Sequence, residues 1–392
     1  MFKYFVAFIK WIIAYFVTLP ERHRKDYSNL MIVSEMGKDA RDNGYHFFLY
    51  VKRNHPEIDV RYIITDDSPD RGRLVEYESS LIKYLSFNHC CYFWRAHWIV
   101  GTHLRSGHTP FPFVVTKWLN RVFRDVLKIN KGIYHGKVIA SLEHGIIKNF
   151  IKRMTYKDTH YDMICCGAAG EAEFLVDRYG YPDTVALYTG LCRFDNLMTF
   201  KVKRQILVMP TWRSYIRLDK LTDSRYYRAY EALLGDSRLA ALLEKHDIDL
   251  IFYPHHRFQP VVQQFSKSVS SPRITIADIA HYDVQELLKE SALLITDYSS
   301  VLFDFVYMKK PVLFYFFDRD DYLNWHFERG YVDEDSFGPI MKDVDSLVSK
   351  LSEYLDNGMV LEDCFEANVD KYFPLRDTKN CERVYNAIMA CV

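Results

Sequence analysis

Signatures of several common protein classes are absent from this 392-residue chain. None of its 8 cysteines belongs to a Cys-x-x-Cys pair, and two pairs are adjacent in sequence, which suits neither a zinc site nor a disulfide framework. The 51 basic side chains balance 51 acidic ones, so net charge does not indicate a nucleic-acid partner. We therefore expect reduced thiols, no metal and no nucleic acid.

The sequence also lacks internal repeats, low-complexity tracts and the glycine-rich loops of P-loop or dinucleotide-binding proteins. Hydrophobic residues make up 49% and charged residues 26%, which is typical of a globular chain long enough for two domains. The aromatic share of 16% is high, as in proteins that bind sugars or membrane interfaces, but an aromatic core explains it equally well.

The N-terminus carries a long apolar run, residues 1–19, interrupted by Lys3 and Lys10. No small-residue cleavage site is evident, so a secretory signal peptide is not expected. A bilayer span needs about 20 residues, which this run barely supplies. The two lysines share a helical face, and the basic cluster Glu21-Arg-His-Arg-Lys25 follows. The pattern favours a helix lying on a membrane over a spanning helix or one packed on its own protein.

Strands and helices alternate twice along the chain, on either side of a polar linker at Asn196–Arg204. The predicted strands are Leu30–Val33, Val60–Ile64, Trp98–Gly101, Val138–Ser141, Met163–Cys166 and Val185–Tyr188, then Ile206–Met209, Leu250–Tyr253, Ile274–Ile276, Leu293–Ile295 and Val312–Phe316. This pattern predicts an α/β fold of two doubly wound, Rossmann-like domains that face a cleft. The predicted boundaries are 1–26 for the apolar helix and basic cluster, 27–196 and 205–375 for the domains, and 376–392 for a C-terminal helix.

A phosphate site is predicted where the strand Leu293–Ile295 runs through a polar turn into a helix. Ser299 or Ser300 can cap that helix, and Pro311 should end it. A helix start at the carboxyl edge of a sheet is a ready site for anions, most often phosphate. The carboxylate of Asp297 would repel phosphate, so we expect it to hold the loop or to meet a sugar hydroxyl.

A histidine in the first series is a candidate base. His144 follows the strand Val138–Ser141 at the edge where such sheets bind ligands, and Gly145 permits close approach of the backbone before an expected helix. A histidine there can accept a proton from an attacking hydroxyl near neutral pH, or it can simply cap the helix. The neighbouring Glu143 is a candidate for orienting its ring.

Polar residues in the second series follow two neighbouring predicted strands. His255 and His256 come after Leu250–Tyr253, where a histidine can donate a hydrogen bond to a diphosphate. Thr211 and Arg213 come after Ile206–Met209, and Arg213 is a candidate phosphate contact or a surface ion pair. Arg193 lies near the linker, where it can bind substrate or stabilise a hinge.

Taken together, these segments resemble the CDP-glycerol glycerophosphotransferases, which make teichoic-acid and capsule polymers. The similar segments, in the family's order, are Glu143-His-Gly145, Thr189-Gly-Leu-Cys-Arg-Phe-Asp195, Pro210-Thr-Trp-Arg213, Tyr253-Pro-His255, Thr296-Asp-Tyr-Ser-Ser300, Phe303-Asp-Phe305, Lys310-Pro311, Asp320-Asp-Tyr322, Gly330-Tyr331 and Phe337-Gly-Pro339. The likeness covers approximately residues 135–390. Glu143 stands where the family usually has tryptophan.

The resemblance implies a GT-B fold in which residues 27–196 bind the acceptor and residues 205–375 bind CDP-glycerol. It implies that His144 is the base and His255 stabilises the transferred phosphoryl group. The residues implied to contact substrates are Arg213, Thr211, Asp297, Ser299, Ser300, Gly145, His256 and Arg193. Glycerol phosphate would pass to a lipid-linked glycan or a growing polymer at the cytoplasmic face of the membrane, with release of CMP and without a cofactor.

Three alternatives stay open at this point. The donor can be CDP-ribitol, because glycerol and ribitol differ by a few hydroxyls that no motif resolves. The same fold can serve a glycosyltransferase that uses a nucleotide sugar, and a membrane-docked scaffold would bind no nucleotide. The sequence does not distinguish a primase from a polymerase.

Overall fold

The computed structural model describes residues 2–21, 29–102, 107–111, 113–129, 131–325, 331–332 and 336–391. Residues 22–25 of the predicted basic cluster and Gly330 of the Gly330-Tyr331 segment lie outside these ranges. The chain divides into two compact units. The first comprises Met1–Asn196 with Asp377–Val392, and the second comprises Leu197–Arg376.

The first unit is built on a seven-stranded sheet in the order β3-β2-β1-β4-β5-β6-β7, and every neighbouring pair is parallel. Its strands are short runs of mostly apolar residues, several of them buried on both faces, as is typical of parallel sheets covered by helices. They are β1 (Leu30–Ser34), β2 (Asp59–Ile64), β3 (Leu81–Lys83), β4 (Trp98–Gly101), β5 (Val138–Ser141), β6 (Met163–Cys166) and β7 (Ala186–Tyr188). The strand order reverses between β1 and β4, the position at which open sheets of this type bind ligands.

The second unit contains a six-stranded, entirely parallel sheet in the order β10-β9-β8-β11-β12-β13. Its strands are β8 (Gln205–Met209), β9 (Asp249–Phe252), β10 (Ile274–Ile276), β11 (Leu293–Thr296), β12 (Val312–Tyr315) and β13 (Ile340–Met341). Here the order reverses between β8 and β11. One aromatic-rich core lies on this sheet and includes Tyr226, Tyr230, Phe252 and Tyr315.

The helices connect the strands and cover the sheets. They are α1 (Phe2–Thr18), α2 (Asn43–Asn54), α3 (Phe87–Arg95), α4 (Phe113–Arg121), α5 (Tyr156–Thr159), α6 (Glu171–Tyr179), α7 (Arg225–Leu234), α8 (Ser237–Lys245), α9 (Val284–Glu290), α10 (Val301–Tyr307), α11 (Arg319–Trp325), α12 (Val344–Asp356), α13 (Asp363–Tyr372) and α14 (Asn380–Met389). The longer 3₁₀ segments are Arg71–Ser80, Cys192–Met198, Leu218–Asp223 and His256–Ser268. The last helix, α14, belongs to the first unit and packs on α2 and β6.

All eleven predicted strands are confirmed, with ends that shift by one residue at most. The short strands β3 and β13 and the helices α11 and α13 were not predicted. The helix expected after Gly145 is wrong, since residues 142–151 contain no helix. The helix after Ser300 ends at Tyr307, four residues before Pro311, at a turn in which Lys309 has a φ of 55°.

The N-terminal helix α1 packs one side on its own unit. Trp11 and Ala14 are buried, the Trp11 ring lies 4.5 Å from that of Trp94, and Trp94 Nε1 donates to the Trp11 carbonyl at 3.0 Å. Apolar side chains on its other side are exposed, with Phe16 at 67% and Val17 at 51%. No helix in the described ranges has the length and apolar character needed to cross a bilayer.

Candidate functional site

In the first unit, His144 is paired with a carboxylate. It lies three residues beyond β5, and its ring Nδ1 is in hydrogen-bond contact with Asp42 Oδ2. The His144 side chain is 66% exposed, whereas that of Asp42 is 11% exposed. Because a carboxylate accepts, the neutral imidazole carries its proton on Nδ1, and Nε2 is left as the basic nitrogen. A base held by a buried acid on one side and exposed on the other is suited to accept a proton from a bound hydroxyl.

The loop after β1 positions Asp42. The buried Glu35 carboxylate accepts the backbone N–H groups of Arg41, Asp42 and Tyr45 at 2.9, 3.0 and 2.6 Å. Asp42 is also the N-cap of α2, where its Oδ1 accepts the Asn43 N–H at 2.8 Å. Burial, together with the charge of Asp42, raises the pKa of Glu35 to about 8. The folded loop therefore fixes the orientation of Asp42 through the backbone and through the helix start.

Arg193 completes the arrangement around His144. Its guanidinium donates to Asp42 Oδ1 at 2.9 Å and to the His144 carbonyl at 2.6 Å, and its side chain is only 12% exposed. Its backbone N–H donates to Asn43 Oδ1, and Asn43 Nδ2 donates to the Glu143 carbonyl. The structure thus brings the predicted residues His144 and Arg193 together, and Arg193 supports the His144–Asp42 pair.

The Thr-Gly-Leu-Cys-Arg-Phe-Asp segment that carries Arg193 is fixed at both ends. Gly190 has a φ of 76°, and a Cβ there would lie 1.7 Å from Asn380 Oδ1, so this position requires glycine. Asp195 accepts the backbone N–H groups of Asn380 and Cys381 at 2.8 and 2.9 Å and so caps α14. Asp195 therefore ties this segment to the last helix of the first unit.

Glu143 does not orient the imidazole by a hydrogen bond. Its buried carboxyl group accepts from Ser141 Oγ at 2.6 Å, and Asp42 occupies the position beside the ring. Burial raises the pKa of Glu143 to about 7. The backbone of Glu143 has a φ of 51°, which turns the chain outward so that His144 is exposed while Gly145 is half-buried.

In the second unit, Arg213 is an internal residue and not a surface contact for phosphate. Its side chain is fully buried, donates to both carboxylate oxygens of Asp318 at 2.7 and 2.9 Å, and lies 3.0 Å from Asp297 Oδ2. The guanidinium is also within 5.3 Å of the ring centroids of Tyr226, Tyr298 and Tyr322. This ion cluster joins the loops that follow β8, β11 and β12. Asp318 is buried as well.

Asp297 holds the loop, which is one of its two predicted roles. It is fully buried, and its Oδ1 accepts the backbone N–H groups of Thr211 and Tyr298, both at 2.7 Å. The hydroxyl of Thr211 is buried and has no hydrogen-bond partner among the described residues. A buried hydroxyl without a partner at a strand switch point is a reason to expect a ligand there.

Ser299 and Ser300 are half-buried at the carboxyl end of β11, at the start of α10. Ser300 is the N-cap residue but makes no capping bond with its side chain, and Ser299 Oγ lies 3.5 Å from the Val301 nitrogen. The predicted capping is therefore weak. Both serines follow β11, and Thr211 follows β8, the strand paired with β11.

His255 has the opposite hydrogen-bond arrangement to His144. Its Nδ1 accepts the backbone N–H of Arg257 at 3.3 Å, which caps the 3₁₀ segment His256–Ser268. The neutral ring therefore carries its proton on Nε2, which can donate to an anion. Trp212 stacks on the His255 ring with centroids 6.0 Å apart, and the exposed His256 lies beside it.

Asp42, Glu35 and Asn43 were not predicted as site residues from the sequence. The signal that could have found Asp42 is its place after the strand β1 at the switch point, in a polar loop at a helix start. Within the described ranges, no group of three or more His, Cys, Asp or Glu side chains is arranged to hold a metal ion.

The sequence profile of the family described as CDP-Glycerol:Poly(glycerophosphate) glycerophosphotransferase matches residues 14–390. The minor teichoic acid biosynthesis protein GgaB of Bacillus subtilis (strain 168) is 30% identical over 370 residues, which are 89% of this chain and 38% of that protein. The teichoic acid poly(glycerol phosphate) polymerase of the same strain is 32% identical over 391 residues, 90% of this chain and 47% of that protein. This chain thus spans less than half the length of either relative.

Solved structures show the same fold. The wall teichoic acid polymerase TagF is similar with a TM-score of 0.63 at 16% identity, covering 100% of this chain and 98% of that chain. S. aureus MnaA, solved with UDP, has a TM-score of 0.55 at 13% identity, covering 92% of this chain and 97% of that chain. With a family profile that matches nearly its whole length, this chain belongs to the CDP-glycerol:poly(glycerophosphate) glycerophosphotransferase family.

Proposed function

We propose that this protein transfers glycerol phosphate from CDP-glycerol to a hydroxyl of a lipid-linked glycan or a growing teichoic-acid or capsule polymer, releasing CMP. The family and its teichoic-acid relatives support this reaction class. The observation that carries the proposal is the His144–Asp42 pair, because it supplies an oriented base at the carboxyl edge of a parallel sheet.

In the proposed reaction, the first unit activates the acceptor. Nε2 of His144 takes the proton of the acceptor hydroxyl as its oxygen forms a bond to the β-phosphorus of CDP-glycerol. The bond between that phosphorus and the bridging oxygen breaks, and CMP leaves with the electron pair. Asp42 stabilises the imidazolium that forms, and the proton then passes to solvent.

The second unit binds the donor in this proposal. His255 Nε2–H donates to a diphosphate oxygen and stabilises the charge that accumulates during transfer. The hydroxyls of Thr211, Ser299 and Ser300 and the start of α10 bind the remaining oxygens. Arg213 and Asp297 contribute indirectly, since their buried ion cluster holds the loops that carry these groups.

A ribitol donor is the second candidate. The teichoic acid ribitol-phosphate polymerase TarK of Staphylococcus aureus (strain NCTC 8325 / PS 47) is 30% identical over 193 residues, 48% of this chain and 34% of that protein. The polar groups assigned to the diphosphate serve either alcohol equally, so the mechanism is the same for CDP-ribitol.

We also propose that the protein lies on the cytoplasmic face of the membrane, close to a lipid-linked acceptor. The apolar side chains of α1 support this location, because Trp11 and Ala14 hold the helix on its unit while Ile13, Phe16 and Val17 remain exposed.

The experiment is release of CMP from CDP-glycerol by the purified protein, with and without a lipid-linked or oligomeric glycan acceptor. Acceptor-dependent CMP supports the proposed transfer, and product length then distinguishes a primase from a polymerase. Turnover with CDP-ribitol alone would change the donor and keep the mechanism. If neither CDP-alcohol is consumed and a UDP-sugar is, a glycosyltransferase replaces the proposal.

A further inference from the structure

A cavity of about 430 Å³ lies in the second unit beside His255, and the donor groups assigned above do not line it. The segment after β8 and the start of the 3₁₀ segment His256–Ser268 form its walls. Apolar surface comes from Trp212, Ile216 and Leu218, and polar groups come from Ser214, His256 and Arg257. Its size is that of a site for one small organic ligand.

Arg257 is the charged group of this cavity. Its guanidinium carbon lies 4.6 Å from the centroid of the Trp212 ring, and its side chain is exposed. Among the described residues, no carboxylate forms an ion pair with it. The contact with the indole restrains the Arg257 side chain, and the planar fork of N–H donors on a guanidinium matches phosphate oxygens.

The cavity lies on the opposite side of β8 from the serines assigned to the donor diphosphate. Arg257 and His256 follow β9, Trp212 and Ser214 follow β8, and Ser299 and Ser300 follow β11, in the sheet order β9-β8-β11. The outer two strands are therefore separated by two strand spacings, roughly 10 Å. His255 also follows β9, but the cavity lining includes neither His255 nor the two serines. A phosphate bound inside the cavity by Arg257 is therefore a different group from the donor diphosphate.

We propose that this cavity binds a polyol phosphate unit of the acceptor, with its phosphodiester on Arg257 and its carbon skeleton against Trp212 and Ile216. The inference rests on the proposed function for the identity of the polymer. A subsite of this kind favours acceptors that already carry phosphodiesters. Ser214 and His256 supply hydrogen bonds to the polyol.

The test is calorimetric binding of a tri(glycerol phosphate) oligomer to the full chain without any nucleotide, with phosphate-free triglycerol as the comparison ligand. Wild type should bind the phosphate oligomer and not triglycerol. Arg257→Gln should weaken binding about tenfold or more, because a charge-assisted contact is lost. Arg257→Lys should weaken it less, and Arg228→Gln, an exposed arginine on α7, should leave it unchanged.

CDP-glycerol binding by the same variants is the second measurement, and circular dichroism confirms that they fold. Absence of oligomer binding in wild type, or equal binding by Arg257→Gln, overturns the subsite. Loss of CDP-glycerol affinity in Arg257→Gln, with oligomer binding intact, assigns the cavity to the donor and also overturns it. Because the oligomer measurement needs no turnover, a failure of the proposed transfer reaction is seen separately, as absence of CMP release.

Discussion

The two units of this protein each present a histidine at the carboxyl edge of a parallel sheet, and they hold the two rings in opposite ways. In the first unit, Nδ1 of His144 faces a carboxylate, Asp42, so the outer nitrogen Nε2 is basic. In the second, Nδ1 of His255 accepts a backbone N–H, so the outer nitrogen carries a proton. One neighbour at Nδ1 therefore decides whether the exposed nitrogen can take a proton or donate one.

The supports of the two rings also differ in kind. Asp42 belongs to a polar network of Glu35, Asn43 and Arg193, whereas His255 is held by the start of a 3₁₀ segment and by the Trp212 ring. A side-chain partner can be changed without changing the backbone, but a backbone partner cannot. The environment of His144, the proposed base, is thus the more easily altered of the two, which makes the comparison testable by substitution.

Replacement of the base should have the largest effect. His144→Gln removes the basic nitrogen and keeps the approximate shape, so we expect turnover to fall about 10²- to 10⁴-fold with donor binding nearly intact. CMP release and CDP-glycerol affinity measure the two quantities. His135→Gln, an exposed histidine of the same unit, is the matched control. Near-normal turnover in His144→Gln would show that the base lies elsewhere.

Replacement of the donor-side histidine should have the next largest effect. His255→Gln loses the ring N–H that, in the proposed reaction, donates to the transferred phosphoryl group, and we expect turnover to fall about 10²- to 10³-fold. The loss should be insensitive to the acidity of the acceptor hydroxyl, unlike that of His144→Gln. His256→Gln is the comparison, because its ring lies beside His255 and lines the neighbouring cavity. A greater loss of turnover in His256→Gln than in His255→Gln would mean that His256, and not His255, contacts the transferred phosphoryl group.

The two histidines also show how far the sequence predicts this structure. Buried apolar runs and polar turns identify the strands and place both histidines at strand ends, because local hydrophobicity sets local structure. Asp42 is 102 residues from His144 in sequence, so their contact depends on the sheet order, which no local pattern contains. Arg213 was misjudged for the same reason: its partners Asp297 and Asp318 come from two distant loops. The strand β13 has two residues and carries almost no pattern.

Asp42→Asn should have a moderate effect. The amide keeps the shape but can present either its oxygen or its N–H₂ to the imidazole, so the ring is no longer restricted to one tautomer. We expect turnover to fall about 10- to 100-fold, since orientation is lost while the base is retained. The NMR signals of His144 provide an independent readout, because they distinguish the two tautomers of the ring. Asp67→Asn, an exposed residue after β2, is the control. If Asp42→Asn left the tautomer of His144 unchanged, the carboxylate of Asp42 would not be the group that fixes it.

The smallest expected effect concerns Glu143. This prediction tests whether Glu143 is a neutral buried acid, in contrast to Asp42, which orients His144. The pKa of Glu143 is about 7 in the folded protein because of burial, against an ordinary value of 4.5. Between these values the folded chain keeps a proton that the unfolded chain has lost, so wild-type stability should fall as pH rises.

Glu143→Gln stays neutral, and its Oε1 can still accept from Ser141. Urea unfolding should therefore give equal stabilities near pH 4 and a variant more stable by roughly 1–3 kcal/mol at pH 7. Glu173→Gln, exposed on α6, should follow wild type. Parallel pH curves for all three proteins would mean that folding does not raise the pKa of Glu143.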